Sequence, residues 1–308
     1  MSLTIATYGL TKRFGRVSAL EAVELRVAAG EVYAFIGRNG AGKTTMIRLL
    51  LGMLRPTAGH AAVLGAPARA LSPEHRRRVG YLVEGATAYP ELTVQENLQL
   101  SAWLYSLPDR KAVHASLERF GLGALANRRA ATLSTGNLQR LALARALLHE
   151  PELVILDEPA TALDPAGVVE VRQLIRALAY EQGTTVFMSS HILSEVERVA
   201  TRIGIVHEGR LVAELSSAEF DRLRRPRLEI VVRDCDLGEA LLRAAGLEPV
   251  RMSDARGGWQ LHLRGEAALA SPDDVARLLV NGGAPPLHLA VRRDELEQVF
   301  LALTESTG

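Results

Sequence analysis

Eight consecutive residues, Gly37-Arg38-Asn39-Gly40-Ala41-Gly42-Lys43-Thr44, constrain this chain more than any other feature. They follow a β-prone run, Val32-Tyr33-Ala34-Phe35-Ile36, and lead into a helical pattern from Lys43 to about Leu54. A strand, a glycine-rich turn and a helix, in that order, suit a backbone that wraps a triphosphate. Glycines let the backbone N–H groups point inward. The helix aims its N-terminus at the phosphates. Lys43 is placed to reach the β/γ-phosphates, and the Thr44 hydroxyl is placed to bind Mg²⁺. The chain has 36 Lys and Arg residues, yet lysine occurs only at 12, 43 and 111. Lys43 therefore stands where arginine would not serve.

A second segment, Leu153-Val154-Ile155-Leu156-Asp157-Glu158, has four apolar residues ending in two carboxylates. On a parallel strand buried on both faces, such carboxylates emerge at the C-terminal tip, where ligands bind in open α/β sheets. Asp157 suits Mg²⁺, directly or through water, and Glu158 suits the orientation and polarisation of an attacking water. A third segment, Leu133-Ser134-Thr135-Gly136-Asn137, precedes a helix. Ser134 or Thr135 fits an N-cap. Gly136 is a poor helix former in the first turn, and close approach of an anion to the backbone would explain it.

The rest of the chain organises around these segments. Residues 1–30 read as strands around a turn at Phe14-Gly15-Arg16, and residues 60–84 as short strands with a helical insert near Pro73–Arg78. Residues 91–149 read as helical, with breaks at Pro108 and Gly121-Leu122-Gly123. A helix from Pro165 to about Gln182, a strand at Thr184–Met188, a helix from His191 and a strand pair around Glu208-Gly209 follow. Strands alternating with helices make an α/β fold with a parallel sheet. The cluster Arg222, Arg224, Arg225, Pro226, Arg227 has no apolar periodicity and reads as a boundary. Beyond it a β-α-β-α-β-α unit is expected, its last helix N-capped by Asp294 with Glu297 three residues on.

Composition sets outer limits. The 308 residues, 48% hydrophobic and 23% charged, are ordinary for a globular chain. No uncharged stretch reaches 18 residues, so no membrane span is expected. The N-terminus runs directly into a strand-like alternation and does not read as a signal peptide. A net charge of +1 argues against nucleic acid as a partner. The single Cys235 reads as a half-buried structural residue.

Taken in order, the motifs resemble the ATP-binding subunits of ABC transporters, and the resemblance covers essentially the whole chain. Leu133–Asn137 is similar to that family's signature, and Gln139–Leu147 to its usual continuation. Asp157–Pro165 resembles Walker B running into the D-loop, and Ser189-Ser190-His191 resembles the switch-histidine loop. The resemblance implies a P-loop NTPase core with antiparallel β and helical subdomains, plus a small α+β C-terminal accessory domain. The ATP-binding domain would span 1–220, its helical subdomain about 85–149, and the accessory domain 226–308. It also implies site residues. Phe14 would stack on adenine. Gly37, Arg38, Asn39, Gly40, Ala41, Gly42, Lys43, Thr44 and Thr45 would hold ATP from one copy, and Ser134, Thr135, Gly136, Asn137 and Asp164 from a second copy packed head to tail. Glu158 would be the general base, and His191 would contact the γ-phosphate.

Three positions depart from the pattern. Glu84 stands where the family has glutamine, Thr135 replaces a signature glycine, and Asn137 replaces the signature glutamine. Glu84 adds a carboxylate beside Asp157 and Glu158 and is expected to be a ligand of Mg²⁺ or water. Glutamate there and Ser-Thr-Gly in the signature resemble the bacitracin- and lantibiotic-export branch. The implied partners are a separate multi-span permease and a second ATP-binding subunit, at the cytoplasmic face of the cell membrane. The alternatives are a soluble ABC ATPase acting on ribosomes or nucleic acid, and a non-hydrolysing ATP sensor. One cassette, one cysteine and no sustained heptads disfavour the first, and Glu158 with His191 disfavours the second.

Overall fold

The structure is a computed structural model that describes residues 3–83, 85, 87–107, 110–161, 163–253, 258–294 and 296–305. Glu84, one of the expected metal ligands, lies outside the described residues. The chain divides into two compact units. One spans residues 1–217 and takes in the chain end from Leu303, and the other spans Ala218–Ala302.

The first unit starts with a long hairpin, β1 (Leu3–Phe14) and β2 (Val17–Ala28). The buried strand β3 (Val32–Ile36) then feeds α1 (Lys43–Leu50). This helix is shorter than its sequence pattern, because Gly52 turns left-handed (φ +69°) after it. A Cβ at Gly52 would lie 2.4 Å from the Ala68 carbonyl oxygen, so the turn admits no side chain. β4 (Ala58–Val63) and β5 (Ala66–Pro67) return to the hairpin and complete an antiparallel sheet in the order β2-β1-β4-β5.

A short helix, α2 (Pro73–Arg77), precedes β6 (Val79–Leu82). The helical region then has α3 (Val94–Leu104), α4 (Arg110–Arg119) and α5 (Thr135–Leu147), packed on a core of its own around Leu98, Leu117, Leu122 and Leu141. β7 (Leu153–Asp157), α6 (Pro165–Tyr180), β8 (Thr185–Ser190), α7 (Leu193–Val199), β9 (Arg202–His207) and β10 (Arg210–Ser216) complete the unit. Six strands form its main sheet in the order β10-β9-β3-β8-β7-β6, parallel except for the β10 edge. Every residue of β3, β7 and β8 is buried, as a sheet covered on both faces requires. α7 starts two residues later than its sequence pattern. The Ser190 hydroxyl accepts from the Ile192 N–H (3.0 Å) and holds His191 in a turn instead.

α8 (Ser217–Leu223) leads into the second unit: β11 (Pro226–Val232), α9 (Cys235–Ala244), β12 (Val250–Ser253), β13 (Trp259–Leu263), α10 (Glu266–Ala270), α11 (Pro272–Asn281), β14 (Pro286–Arg293) and α12 (Leu296–Glu305). Its antiparallel sheet runs β12-β13-β11-β14 over a core of Leu228, Ile230, Leu242, Leu261 and Leu279. The arginine cluster therefore belongs to α8, β11 and the turn between them.

One expectation for this unit needs correction. The order is β-α-β-β-α-α-β-α, because β12 is a four-residue edge strand with only Val250 and Met252 as apolar residues, too little alternation to read. Asp294, the residue expected to cap the last helix, precedes α12 and is tied to distant arginines. Its Oδ1 accepts from Arg227 Nη1 (3.0 Å) and Arg264 Nη2 (2.8 Å), and its Oδ2 from Arg264 Nη1 (2.9 Å). Arg224 Nε donates to its carbonyl oxygen (2.8 Å). Two guanidiniums thus hold this carboxylate. Burial alone would raise the Asp294 pKa, but Arg264 and Arg227 outweigh it and hold the carboxyl below its usual range.

Candidate functional site

The site lies where three neighbouring parallel strands end. Ile36 pairs with Ser190, and Asp157 with Ser189, so β3, β7 and β8 deliver their C-terminal residues to one place. The turn after β3 needs its glycines for space. A Cβ at Gly37 would sit 2.4 Å from the Val206 carbonyl oxygen. At Gly42 (φ +108°) it would sit 2.4 Å from the Ala19 carbonyl oxygen, which packs the turn against the β1–β2 hairpin. Arg38, Asn39 and Gly40 are exposed, Thr44 and Thr45 half-buried.

α1 starts at Lys43 with no side-chain cap and no acidic residue in its first turn. Its leading N–H groups have no intrahelical acceptor, so this end suits an anion. Lys43 is buried and folds back over the turn. Its Nζ donates to the carbonyls of Gly37 (2.8 Å) and Arg38 (3.3 Å) and lies 3.5 Å from Glu158 Oε1.

Asp157 is buried at the end of β7. The Ser189 hydroxyl donates to its Oδ1 (2.6 Å) and accepts from the Glu158 N–H (3.0 Å). Glu158 itself has φ +49°, a left-handed conformation unfavourable for a side chain of its kind. Thr161 Oγ1 donates to Glu158 Oε2 (3.1 Å), and His191 Nδ1 lies 3.0 Å from the same oxygen. Lys43, Asp157, Glu158 and His191, all singled out in the sequence, are thus brought together. Ser189 and Thr161 were not singled out as site residues. The one available signal for Ser189 was a hydroxyl at the end of a buried strand next to the acidic one.

The structure fits a magnesium nucleotide. Among the described residues no group of three or more His, Cys, Asp or Glu side chains could hold a metal. What the site offers is one hydroxyl, Thr44, and one carboxylate, Asp157, beside a helix N-terminus. That set suits an ion that brings water and phosphate oxygens with it.

The other candidates lie elsewhere. Ser134 N-caps α5 and accepts from the Asn137 N–H (3.4 Å). Among the described residues no hydrogen bond or ion pair joins Ser134–Asn137 to the Lys43–Glu158–His191 cluster. A Cβ at Gly136 would meet Leu163 Cδ2 at an ordinary 3.7 Å, so nothing among the described residues crowds a side chain there. Asp164 caps α6, its Oδ1 accepting from the Gly167 N–H (2.9 Å). Gln139, also not singled out, is buried and ties α5 to the acidic loop by donating to the Pro159 carbonyl (2.7 Å). Phe14, at the end of β1, is 48% exposed.

A cleft of about 540 Å³ opens between β6, α3 and α5, lined by Met53, Tyr81, Val83, Leu104, Tyr105 and Arg145 among others. Arg145 reaches from α5 to the Ser101 hydroxyl (3.0 Å) and the Thr87 carbonyl (2.7 Å). Tyr105 stacks on His149, with ring centroids 3.6 Å apart. Burial pushes the Tyr105 hydroxyl up to about 12 and His149 down to about 4, so both rings are neutral at pH 7.

A family profile for ABC transporters matches residues 20–161. The bacitracin transport ATP-binding protein of Bacillus licheniformis is 37% identical over 303 residues, covering 98% of each chain. The daunorubicin resistance ATP-binding protein of Streptomyces coeruleorubidus is 36% identical over 304 residues, 97% of this chain and 95% of that one. A dimeric ATP-binding cassette in a post-hydrolysis state, bound to ADP and Pi, superposes with a TM-score of 0.64 at 27% identity. That match covers 69% of this chain and 98% of the cassette. With these relatives alike over nearly their whole length, and with Lys43, Asp157, Glu158 and His191 converging at three strand ends, the chain belongs to the ABC transporter family, as an ATP-binding subunit that hydrolyses ATP to drive transport.

Proposed function

We propose that this subunit powers export of a peptide antibiotic, drug or lipid-like compound through a separate membrane permease, at the cytoplasmic face of the cell membrane. The single observation behind the catalytic part is the chain of contacts Lys43–Glu158–His191. Lys43 exchanges its Glu158 partner for the β- and γ-phosphate oxygens, and this frees the carboxylate. Glu158 then takes the proton of the attacking water. His191 orients Glu158 through Nδ1 and presents its other nitrogen to the transferred group. Thr44 and Asp157 would hold Mg²⁺, which would supply positive charge to offset that of the phosphates. Glu84 joins them as a ligand of metal or water, and Glu84→Gln changes the Mg²⁺ and Mn²⁺ dependence of hydrolysis. Identical titrations in the two proteins would remove it from the set.

In this reading residues 1–220 are the ATP-binding domain and 226–308 an accessory domain. Two copies face each other, with Ser134–Asn137 and Asp164 of one completing the phosphate site of the other. The freedom around Gly136 supports this: glycine is kept for a neighbour outside the chain. Phe14 stacks on adenine. The aromatic cleft beside Tyr81, Tyr105 and Arg145 receives the permease. No helix among the described residues is long and apolar enough to cross a membrane, so the pathway lies in another chain. The full-length likeness to bacitracin and daunorubicin resistance proteins supports the cargo class.

The test is Glu158→Gln, purified with ATP from gently solubilised native membranes. We expect phosphate release to fall by about 10²–10⁴-fold and a multi-span protein to copurify in stoichiometric amount. Ribosomes or nucleic acid in its place, with no membrane protein, would overturn the transporter assignment of this chain's partner.

A further inference from the structure

We propose that Lys12 is a positioning residue for the nucleotide base, acting through the Phe14 ring. The inference rests on the reading of Phe14 as the adenine platform and adds the charge that prepares it. Lys12 and Phe14 are two residues apart on β1 and so share a face. Lys12 Nζ lies 4.8 Å from the centroid of the Phe14 ring. The ammonium is pinned there, because it donates to the Arg55 carbonyl oxygen at 2.9 Å. Arg55 lies just beyond α1, so this bond ties the hairpin end to the segment that follows the phosphate helix. Two further bonds hold the same seam: the Arg13 N–H donates to Thr57 Oγ1 (3.0 Å), and the Thr57 N–H to the Thr11 carbonyl (2.8 Å). On the other strand of the hairpin, Ala19 packs directly on Gly42 of the phosphate turn.

The consequence is electronic and steric together. A fixed cation on one face of a benzene ring draws π-density toward itself and leaves the opposite face less negative. That face then stacks better on an electron-rich purine, whose own π-cloud would otherwise repel it. The same contact fixes the orientation of a ring that is nearly half exposed and would otherwise sample several rotamers. Lys12 is therefore a base-recognition residue that needs no contact with the base.

The experiment titrates full-length protein with Mg·ADP, which is not turned over, and with inorganic pyrophosphate, which has no base. Lys12→Met keeps the apolar stem and removes the charge. We expect it to weaken ADP by about two- to fivefold and to leave pyrophosphate unchanged. KM for ATP should rise by the same factor with kcat unaltered. Lys12→Arg, which keeps a cation able to lie over the ring, should retain ADP affinity. In a Phe14→Leu background, Lys12→Met should cost nothing further. Equal losses for ADP and pyrophosphate would mean that Lys12 serves the phosphates or the fold, and would overturn the proposal. So would a loss that persists without Phe14, or no loss at all. If Phe14→Leu alone leaves ADP affinity intact, it is the adenine platform that fails, a separate outcome.

Discussion

Each unit contains a knot of charged side chains, and the two are built to opposite ends. In the first, Lys43 meets Glu158 and Glu158 meets His191, with side chains 26% exposed at Glu158 and 44% at His191. In the second, Arg227 and Arg264 meet Asp294, and the Arg227 and Asp294 side chains are 8% and 9% exposed. The Asp294 carboxylate is saturated: both oxygens and the carbonyl of the same residue receive guanidinium donors. Glu158 instead sits in a left-handed conformation that costs about 1–2 kcal/mol, held by contacts that a nucleotide can replace. A saturated buried knot fixes geometry. An open, strained one can exchange partners, as the role proposed for Glu158 requires.

The strongest way to break this comparison is Asp294→Ala. It leaves the buried Arg227 with only Glu229, at 3.7 Å, and takes the carboxylate from the half-exposed Arg264, so the second unit should lose about 3 kcal/mol. Thermal unfolding would read this as an early transition, with ATP hydrolysis by the remaining unit retained. The pH dependence has a defined sign. The folded-state pKa of Asp294 is depressed, so its stabilisation is complete above the unfolded value near 3.9 and is lost as pH falls through the folded value. Stability curves of parent and Asp294→Ala should therefore converge in acid. Curves that stay parallel would show that the cluster is not a stabilising charge pair.

A smaller effect is expected at Ser189. Its hydroxyl holds the Asp157 carboxylate and the Glu158 N–H at once. Ser189→Ala removes one hydrogen bond to a charged group, worth about 1.5–3 kcal/mol. The loss should appear in ATP turnover, about ten- to a hundredfold, with little change in melting temperature. A large stability loss with normal turnover would move Ser189 to the structural side of the comparison.

The smallest and sharpest test is Gly136→Ala. A methyl group fits within the chain at 3.7 Å from Leu163, so melting should be unchanged. Turnover should fall by about five- to tenfold if a phosphate on a second copy approaches that backbone. Unchanged turnover would mean that the glycine serves no neighbour.

How much was legible beforehand follows the same division. The turn from Gly37 to Thr44 and the pair Asp157-Glu158 are runs of consecutive residues whose backbone conformations and strand context come with them. They were readable, and so was the parallel core. The arginine partners of the Asp294 carboxylate went unread, because they lie 30 and 67 residues away in the chain. Likewise β12 went unnoticed, because a four-residue edge strand carries too few alternating positions to show a period.

By itself, the sequence determined the local pieces of the candidate chemistry: a glycine-rich turn after a buried strand, a lysine behind it, and two carboxylates at the end of another buried strand. These are local, since adjacent residues share geometry whatever the rest of the chain does. Only the tertiary structure decided which side chains share a carboxylate. Ser189 reaches Asp157 because β7 and β8 pair in register. Lys12 reaches Arg55, and Arg264 reaches Asp294, because distant segments pack side by side. Such contacts depend on long-range pairing, which a one-dimensional pattern does not encode position by position.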